Sequence, residues 1–268
     1  QFFPLWVRVT EELGGERTEP NVDHKLLEGA CETFGIKPID KDGHTWSKRA
    51  LQVAECIFYH TLAILWSPAY RHENAAALRQ DWPRVPIPAD ADVLNSSAEL
   101  GRAVADLLLS DTPAQGVTRG KLRPELRGVG DPKKVGGGNI EAGTDLVVDA
   151  GWGFRGQRNA VMCGKGRVVP SAADPKNAVD VFINSKVYWS NVPNDVWAMT
   201  IGGYPVIKKW LSYREHKVLG RSLRLEEMTY ITEVIRRLKA LLLLGPDLDS
   251  NYRAACKQTL SIQNPPSS

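Results

Sequence analysis

Helical periodicity at both ends of the chain, and its loss in the middle, most restricts the possible fold. Between Ser47 and Trp66 apolar residues recur three and four positions apart, and the same spacing returns between Met228 and Leu242. Within 145–189 the apolar residues form short runs separated by Gly, Pro and Asn, as in strands. The pattern predicts an α+β chain: helices from both halves form a bundle, and a small, mostly antiparallel β-rich part is inserted in the middle.

Capping residues and helix breakers refine this picture. Asp23 is a suitable N-cap for a helix that Gly35 ends, and Ser67–Pro68 supplies a cap followed by a first-turn proline. Three prolines in 82–88 exclude a helix there. The predicted helices cover 23–34, 47–66, 69–78, 93–109, 205–212 and 228–242, and the predicted strands cover 145–149, 179–184 and 186–189.

These elements predict three parts. An N-terminal helical part covers 1–111, beginning with a short extended start (Phe2, Phe3, Leu5 and Trp6) and a polar loop. A β-rich part covers 112–200. A C-terminal helical part covers 201–268 and packs back on the N-terminal helices. Segment 111–143 holds eight glycines and six basic residues, so we expect too little burial to order it and predict a mobile loop or a domain junction.

Composition limits the classes of protein. The 268 residues are 43% hydrophobic with a net charge of +3, enough to bury a full core. No apolar run approaches the roughly 20 residues of a membrane span. The four cysteines lie far apart without a C-x-x-C pair, which favours reduced thiols in a cytoplasmic protein. The chain lacks an initiator Met and a secretion signal, so we expect a piece of a longer protein without a membrane partner.

Residues for catalysis are few. None of the five histidines is spaced from Cys, Asp or Glu as in a metal site or a nucleophile–base pair, and His60 is interpreted as a core residue. Asn264–Pro266 lies at the extreme C-terminus without a following aromatic, and Gly136–Gly138 lacks the Lys-Ser/Thr of a phosphate loop. We therefore predict no catalytic residue, cofactor site or metal site in this chain.

A run of positive charge between residues 208 and 224 indicates a polyanionic partner, because six cations stand there against Glu215 alone. The predicted DNA contacts in this run are Lys208, Lys209, Arg214, Lys217, Arg221 and Arg224. Helical spacing places Tyr204, Ile207 and Leu211 on an inner face, with Lys208, Lys209 and Ser212 opposite.

Two features near this run have two interpretations each. Gly202–Gly203 precedes a predicted helix, where it could accept a phosphate or simply form a tight turn. Tyr188, Trp189 and Trp197 could stack on bases, although aromatics in strands more often build core.

Basic residues in the glycine-rich segment form a second candidate group. Arginine suits bidentate guanine contacts, so we expect arginines to read bases and lysines to bind phosphate. The alternative is a solvated linker that never meets DNA. The predicted DNA contacts in this group are Arg119, Lys121, Arg123 and Arg127, with Lys133 and Lys134 further along.

Three ordered motifs connect the chain to a family: SPAYR from Ser67, PRVP from Pro83, and IGGYPVIKKWL from Ile201. Together with LRLEEMTYITEVIRRLKALLLL, they resemble the C-terminal specificity region of single-polypeptide type I (type ISP) restriction–modification enzymes. The resemblance runs from about Pro4 to Tyr252. Trp66 stands where the family often has His before Ser-Pro, and a buried apolar residue would serve there as well.

The resemblance implies a target recognition domain that grips double-stranded DNA and reads a site in phage defence. In such enzymes other modules of the same polypeptide transfer a methyl group from S-adenosylmethionine to adenine, with or without helicase and nuclease modules, and those modules are absent here. The alternative is a structural domain that docks on the methyltransferase core without reading bases.

Overall fold

The computed structural model describes residues 4–10, 16–41 and 43–261. Phe2, Phe3 and Asn264–Pro266 therefore lie outside the described residues. The strands are β1 (Trp6–Thr10), β2 (Glu16–Pro20), β3 (Asp131–Lys134), β4 (Gly153–Arg155), β5 (Val161–Cys163), β6 (Arg167–Pro170), β7 (Ala178–Phe182), β8 (Val187–Pro193), β9 (Thr200–Ile201) and β10 (Tyr204–Pro205). The α-helices are α1 (His24–Thr33), α2 (Lys48–Trp66), α3 (Pro68–Glu73), α4 (Ala91–Leu108), α5 (Asn194–Trp197), α6 (Val206–Arg214), α7 (His216–Leu219), α8 (Leu225–Leu243) and α9 (Gly245–Ala255).

The chain forms two compact units. The first combines the chain up to Leu108 with the chain from Leu244 onward, and the second is the continuous segment Leu109–Leu243. The α+β class is confirmed, because helices and antiparallel sheets both occur. The expected 201–268 part is divided, since 201–243 cluster with the β-rich part. No helix among the described residues is both long and apolar enough to cross a membrane.

The first unit is mainly helical. α2 and α4 pack closely along each other, and the Gly101 backbone lies against Tyr59, where an added Cβ would come within 1.8 Å of the Tyr59 carbonyl oxygen. Leu27, Ile57 and Leu94 belong to its buried core. The predicted caps are present: the side chains of Asp23 and Ser67 accept hydrogen bonds from first-turn amides of α1 and α3.

Helix α9 completes the first unit and was not predicted. Gly245–Pro246 ends the preceding helix as expected, but Pro246 also suits the first turn of α9. Asp249 on α9 accepts hydrogen bonds from the Ser67 hydroxyl at 2.7 Å and the Ala69 amide at 2.8 Å. A carboxylate far along the chain therefore fixes the α2–α3 junction.

The second unit is built on an antiparallel sheet in the order β3-β8-β7-β6. Trp189 on β8 is fully buried, and its indole N–H donates to the Thr232 hydroxyl on α8 at 3.0 Å. One face of the sheet therefore packs on α8. The core interpretation of Trp189 is confirmed, whereas Trp197 is half-buried and meets the Trp152 ring edge-on.

Segment 111–143 is not the structureless loop that its composition predicts. Val117 and Leu126 are fully buried, and β3 pairs with β8 along its whole length. A few well-spaced apolar residues thus find burial despite the glycines, so the reason given for mobility is wrong, and mobility itself stays a prediction. Residues 145–149 are not a strand. Their backbone carbonyls instead accept bonds from the Asn184 side chain and from the amides of His216 and Leu223.

Candidate nucleic-acid interface

The Gly202–Gly203 pair before α6 forms a tight turn. Both glycines have positive φ, at 58° and 81°, and they connect β9 to β10. The Val206 amide in the first turn of α6 donates to the Met199 carbonyl at 3.1 Å. This geometry accounts for the glycines through the turn, and phosphate binding at this helix end stays a prediction.

The faces of α6 differ in part from the sequence prediction. Ile207 and Leu211 are buried, as predicted. Tyr204 is 60% exposed, because it lies in β10 before the helix begins. Ser212 is buried instead of facing solvent, because the backbone of Gly153 packs against it: a Cβ on Gly153 would come within 2.0 Å of the Ser212 carbonyl oxygen.

Aromatic rings hold two of the cations of α6. The Lys209 ammonium lies 5.2 Å from the Tyr204 ring centroid and 4.9 Å from that of Tyr213. The Arg214 guanidinium lies 4.7 Å over the Trp210 ring. Such cation–π contacts restrict the side chains without supplying a negative counter-charge.

Glu227 lies outside the basic run 208–224 and is a counter-ion to two of its arginines. Arg221 donates two hydrogen bonds to its carboxylate, at 2.7 and 3.1 Å, and Arg214 lies 3.6 Å away. The hydrogen bond from Arg221 lowers the pKa of Glu227 below its ordinary value. Glu215, by contrast, is buried and accepts the Trp152 amide at 2.7 Å. The single negative charge of Glu227 therefore compensates mainly Arg221, which it binds more closely, and only in part Arg214. The prediction that Glu215 alone opposes the run is wrong.

The remaining cations of the run are available to a partner. Lys217 and Arg224 are exposed and Lys208 is half-exposed. No ion pair among the described residues involves any of these three side chains. With Lys209 they leave four uncompensated charges on or beside α6 and α7.

The four cations predicted within 119–127 are all exposed. The segment carrying them is attached to the later turns of α8, where Arg237 donates to the Thr112 carbonyl and Arg236 to the Val129 carbonyl. Glu227, which binds Arg221, lies nine residues earlier on α8, about 14 Å along the helix axis. The two cationic groups are therefore attached to different turns of α8.

Lys133 and Lys134 differ in environment, because they point to opposite faces of β3. Lys134 binds the buried Asp145 carboxylate at 2.5 Å, which lowers the pKa of Asp145 below its ordinary value. Lys133 stands opposite Tyr188 in the sheet register. Lys134 is therefore structural, whereas Lys133 is exposed and lies at the end of a row of side chains on the other face of the sheet.

That row crosses the sheet and includes the buried Phe182. Tyr188 stands opposite Phe182, and Phe182 stands opposite Arg167. The Tyr188 and Phe182 rings stack at 4.7 Å, and the Arg167 guanidinium lies 4.3 Å over Phe182. Stacking on Phe182 already uses one face of the Tyr188 ring.

The β4–β5 hairpin carries surface residues that the sequence analysis missed. Phe154 is 53% exposed and Met162 is 48% exposed, and the two stand opposite each other. Arg155 donates to the Val218 carbonyl at 3.1 Å, which places the hairpin beside α7. The three-residue strands lacked a readable pattern, but four cations and no carboxylate between 150 and 173 could have indicated this surface.

The described residues contain no group of three His, Cys, Asp or Glu side chains arranged to hold a metal ion. The cations and aromatic rings described above all belong to the second unit.

Comparison with known proteins decides the family. The family model described as "Type ISP C-terminal specificity domain" matches residues 1–237. The chain belongs to this family. A specificity domain is a recognition module of restriction–modification enzymes and not a catalytic one. No curated protein matches the chain significantly.

Solved structures similar to this specificity domain are much longer chains. One is the DrdV–DNA complex, at 14% identity and TM-score 0.49, covering 95% of this chain and 21% of that one. Another is the ATP-dependent Type ISP restriction–modification enzyme LlaBIII bound to DNA, at 10% identity and TM-score 0.48, covering 97% and 14%. A third is a nuclease-deletion mutant of the Type ISP enzyme LlaGI with a DNA substrate mimic, at 16% identity and TM-score 0.41, covering 73% and 13%. The specificity domain spans about a fifth or less of these chains.

Proposed function

We propose that this chain recognises a specific sequence in duplex DNA on behalf of catalytic modules of a longer cytoplasmic polypeptide. The observation that carries the proposal is the uncompensated cationic surface of α6, α7 and the β4–β5 hairpin on a member of a specificity-domain family. Cations without carboxylate partners can neutralise phosphates and release counterions. Phosphate contacts would set the position on the duplex, and other side chains would read base edges.

The proposal assigns no chemical step to this chain. S-adenosylmethionine would bind a methyltransferase module elsewhere in the polypeptide, which would modify adenine, and helicase or nuclease modules would act after recognition. The role of the present residues is to hold the duplex in register for those modules.

Two measurements on the full chain test the proposal. Selection from a pool of randomised duplexes should enrich a defined sequence, because base readout distinguishes sites that phosphate contacts cannot. Affinity for the selected duplex should fall steeply as salt rises. Selection of no sequence, with affinity that does not respond to salt, would contradict the proposal.

The alternative, a docking module for the methyltransferase core, has one observation in its favour. Glu227 forms ion pairs with Arg221 and Arg214, so part of the positive charge seen in the sequence serves the fold. A docking module would bind a separately expressed methyltransferase module but would select no DNA sequence.

A further inference from the structure

The β4–β5 hairpin supports an inference that rests on the proposed function and extends it to a mode of base contact. Phe154 on β4 stands directly opposite Met162 on β5, and Arg155 stands opposite Val161. Opposed residues of an antiparallel pair share a face, and successive residues alternate between faces. Phe154 and Met162 therefore lie on one face of the hairpin, and Arg155 and Val161 on the other.

The second of these faces is turned toward α6 and α7. Gly153 lies so close to Ser212 that no larger residue fits, and the Arg155 guanidinium donates to the Val218 carbonyl. The face with Phe154 and Met162 points away from these helices, which explains why half of each apolar side chain is exposed. Met162 also covers Gly156, where a Cβ would lie 2.8 Å from its Cγ.

The hairpin is fixed at its base and closed at its tip. At the base, Trp152 is fully buried and its amide donates to Glu215. At the tip, the Gly156 amide donates to the Ala160 carbonyl at 2.8 Å, and Arg158 and Asn159 hold left-handed backbone conformations. A preorganised element loses little conformational freedom on binding.

The positive charges in the segment that carries Phe154 and Met162 indicate the kind of partner. Arg155, Arg158, Lys165 and Arg167 lie between 150 and 173, and this stretch contains no carboxylate. The neighbouring α7 adds the exposed Lys217. An exposed apolar pair in a stretch whose charges are all positive complements a polyanion that presents apolar groups between its charges. Duplex DNA has this chemistry, because thymine methyl groups lie between the phosphate backbones in the major groove.

The width of the hairpin indicates which groove of duplex DNA it can enter. Two paired strands stand about 4.8 Å apart, and their side chains make the ribbon wider still. A two-stranded ribbon of this width fits the major groove, about 12 Å wide, and not the minor groove, about 6 Å wide. We infer that the β4–β5 hairpin enters the major groove of duplex DNA, with Phe154 and Met162 against thymine methyl groups and Arg158 at a flanking phosphate.

The test uses the full chain and the duplex that the wild-type chain selects from a randomised pool. The double variant Phe154→Ala/Met162→Ala should lose about tenfold in preference for the selected duplex over a scrambled one, the size of one or two lost base-pair contacts. Its affinity for the scrambled duplex and its salt dependence should stay unchanged, because no cation is removed. Trp82→Ala is the matched control, because Trp82 is 63% exposed in the first unit.

Uracil in place of thymine identifies the contacted group, because it removes only the methyl. At one or two positions this replacement should weaken wild-type binding several-fold and leave the double variant unaffected. A double variant with the full wild-type preference would overturn the inference while leaving sequence recognition by the chain intact. Unchanged DNA preference together with weaker binding to a methyltransferase module would overturn it in favour of a protein interface. A wild-type chain that selects no sequence would remove both the inference and the proposed function.

Discussion

His60 is the buried histidine of the first unit, and both of its ring nitrogens are bonded. Nε2 lies 2.7 Å from the Pro86 carbonyl and must donate to it, so Nδ1 accepts from the Ser97 hydroxyl at 2.7 Å. The Asn251 side chain donates to Ser97 in turn. Burial lowers the pKa of His60 from 6.5 to about 4. The core interpretation of this residue is confirmed, and no catalytic role is needed to explain it.

This buried histidine makes the stability of the first unit depend on pH. Between pH 6.5 and 4 the unfolded chain binds a proton that the folded chain excludes, so stability falls as the pH is lowered through that range. The expected loss between pH 7 and pH 5 is about 2 kcal/mol. Urea unfolding of the wild type and His60→Gln at both pH values measures it. The variant should lose this part of the pH dependence, and an identical dependence in both proteins would contradict the assignment.

Neighbouring cations near α7 should differ in their contribution to DNA binding. Lys217 is exposed and without an ion pair, so Lys217→Gln should lower the slope of log affinity against log salt by about one unit. Arg221→Gln should change the slope less, because Glu227 already neutralises Arg221. An equal decrease in slope for the two variants would show that Arg221 leaves Glu227 and contacts phosphate when DNA binds.

At the scale of elements, α2 and α4 form a close contact through Gly101. Because an added Cβ would lie 1.8 Å from the Tyr59 carbonyl oxygen, Gly101→Ala must separate the two helices. The expected cost is about 1–3 kcal/mol or more. Gly29→Ala on α1 is the control, since nothing lies within 4 Å of that Cβ and alanine should stabilise the helix by about 0.5–1 kcal/mol. Chemical unfolding of both variants tests the pair, and equal effects would rule out the tight contact.

The elements that sequence reasoning found are those whose pattern is repeated several times. The predicted helix 47–66 is α2 within one residue, because five turns of apolar spacing leave little ambiguity. The predicted strand 179–184 corresponds to β7 at 178–182. β3, β4 and β5 were among the strands that were missed, because segments of three or four residues are too short to show alternation.

The candidate site could be predicted from the sequence only in part. A cationic run is visible in sequence, but its counter-ion is not: Glu227 lies outside the run and reaches Arg214 and Arg221 through the fold. The exposure of Phe154 and Met162 is equally a tertiary property, since it depends on which face of the hairpin α6 covers.

At the scale of the whole molecule, the second unit is one continuous segment and the first is assembled from two. We predict that 109–243 expressed alone folds cooperatively, because its core is formed within the segment by Trp152, Trp189 and Ile231, among others. Near-ultraviolet circular dichroism through a denaturant titration would check this. A broad, non-cooperative transition would show that the segment depends on the rest of the chain.

The same division predicts the opposite behaviour for 1–108 alone. Without α9 the chain loses the buried Leu248 and Ala255, and Ser67 loses its bond to Asp249. We expect this fragment to be unstable by itself and to be restored when a peptide covering 244–261 is added. Full stability without the peptide would contradict the role given to α9.

The insertion of a continuous unit into a divided one has a genetic consequence. Two recombination events, near the codons for Leu108 and Leu244, would exchange the whole second unit between related genes. Both pieces of the first unit would stay in place. If the chain has the proposed function, one pair of crossovers would give an enzyme a new target sequence. The gene segments that encode its catalytic modules would stay unaltered. A host lineage could thus renew its defence by gene conversion over a tract of a few hundred base pairs.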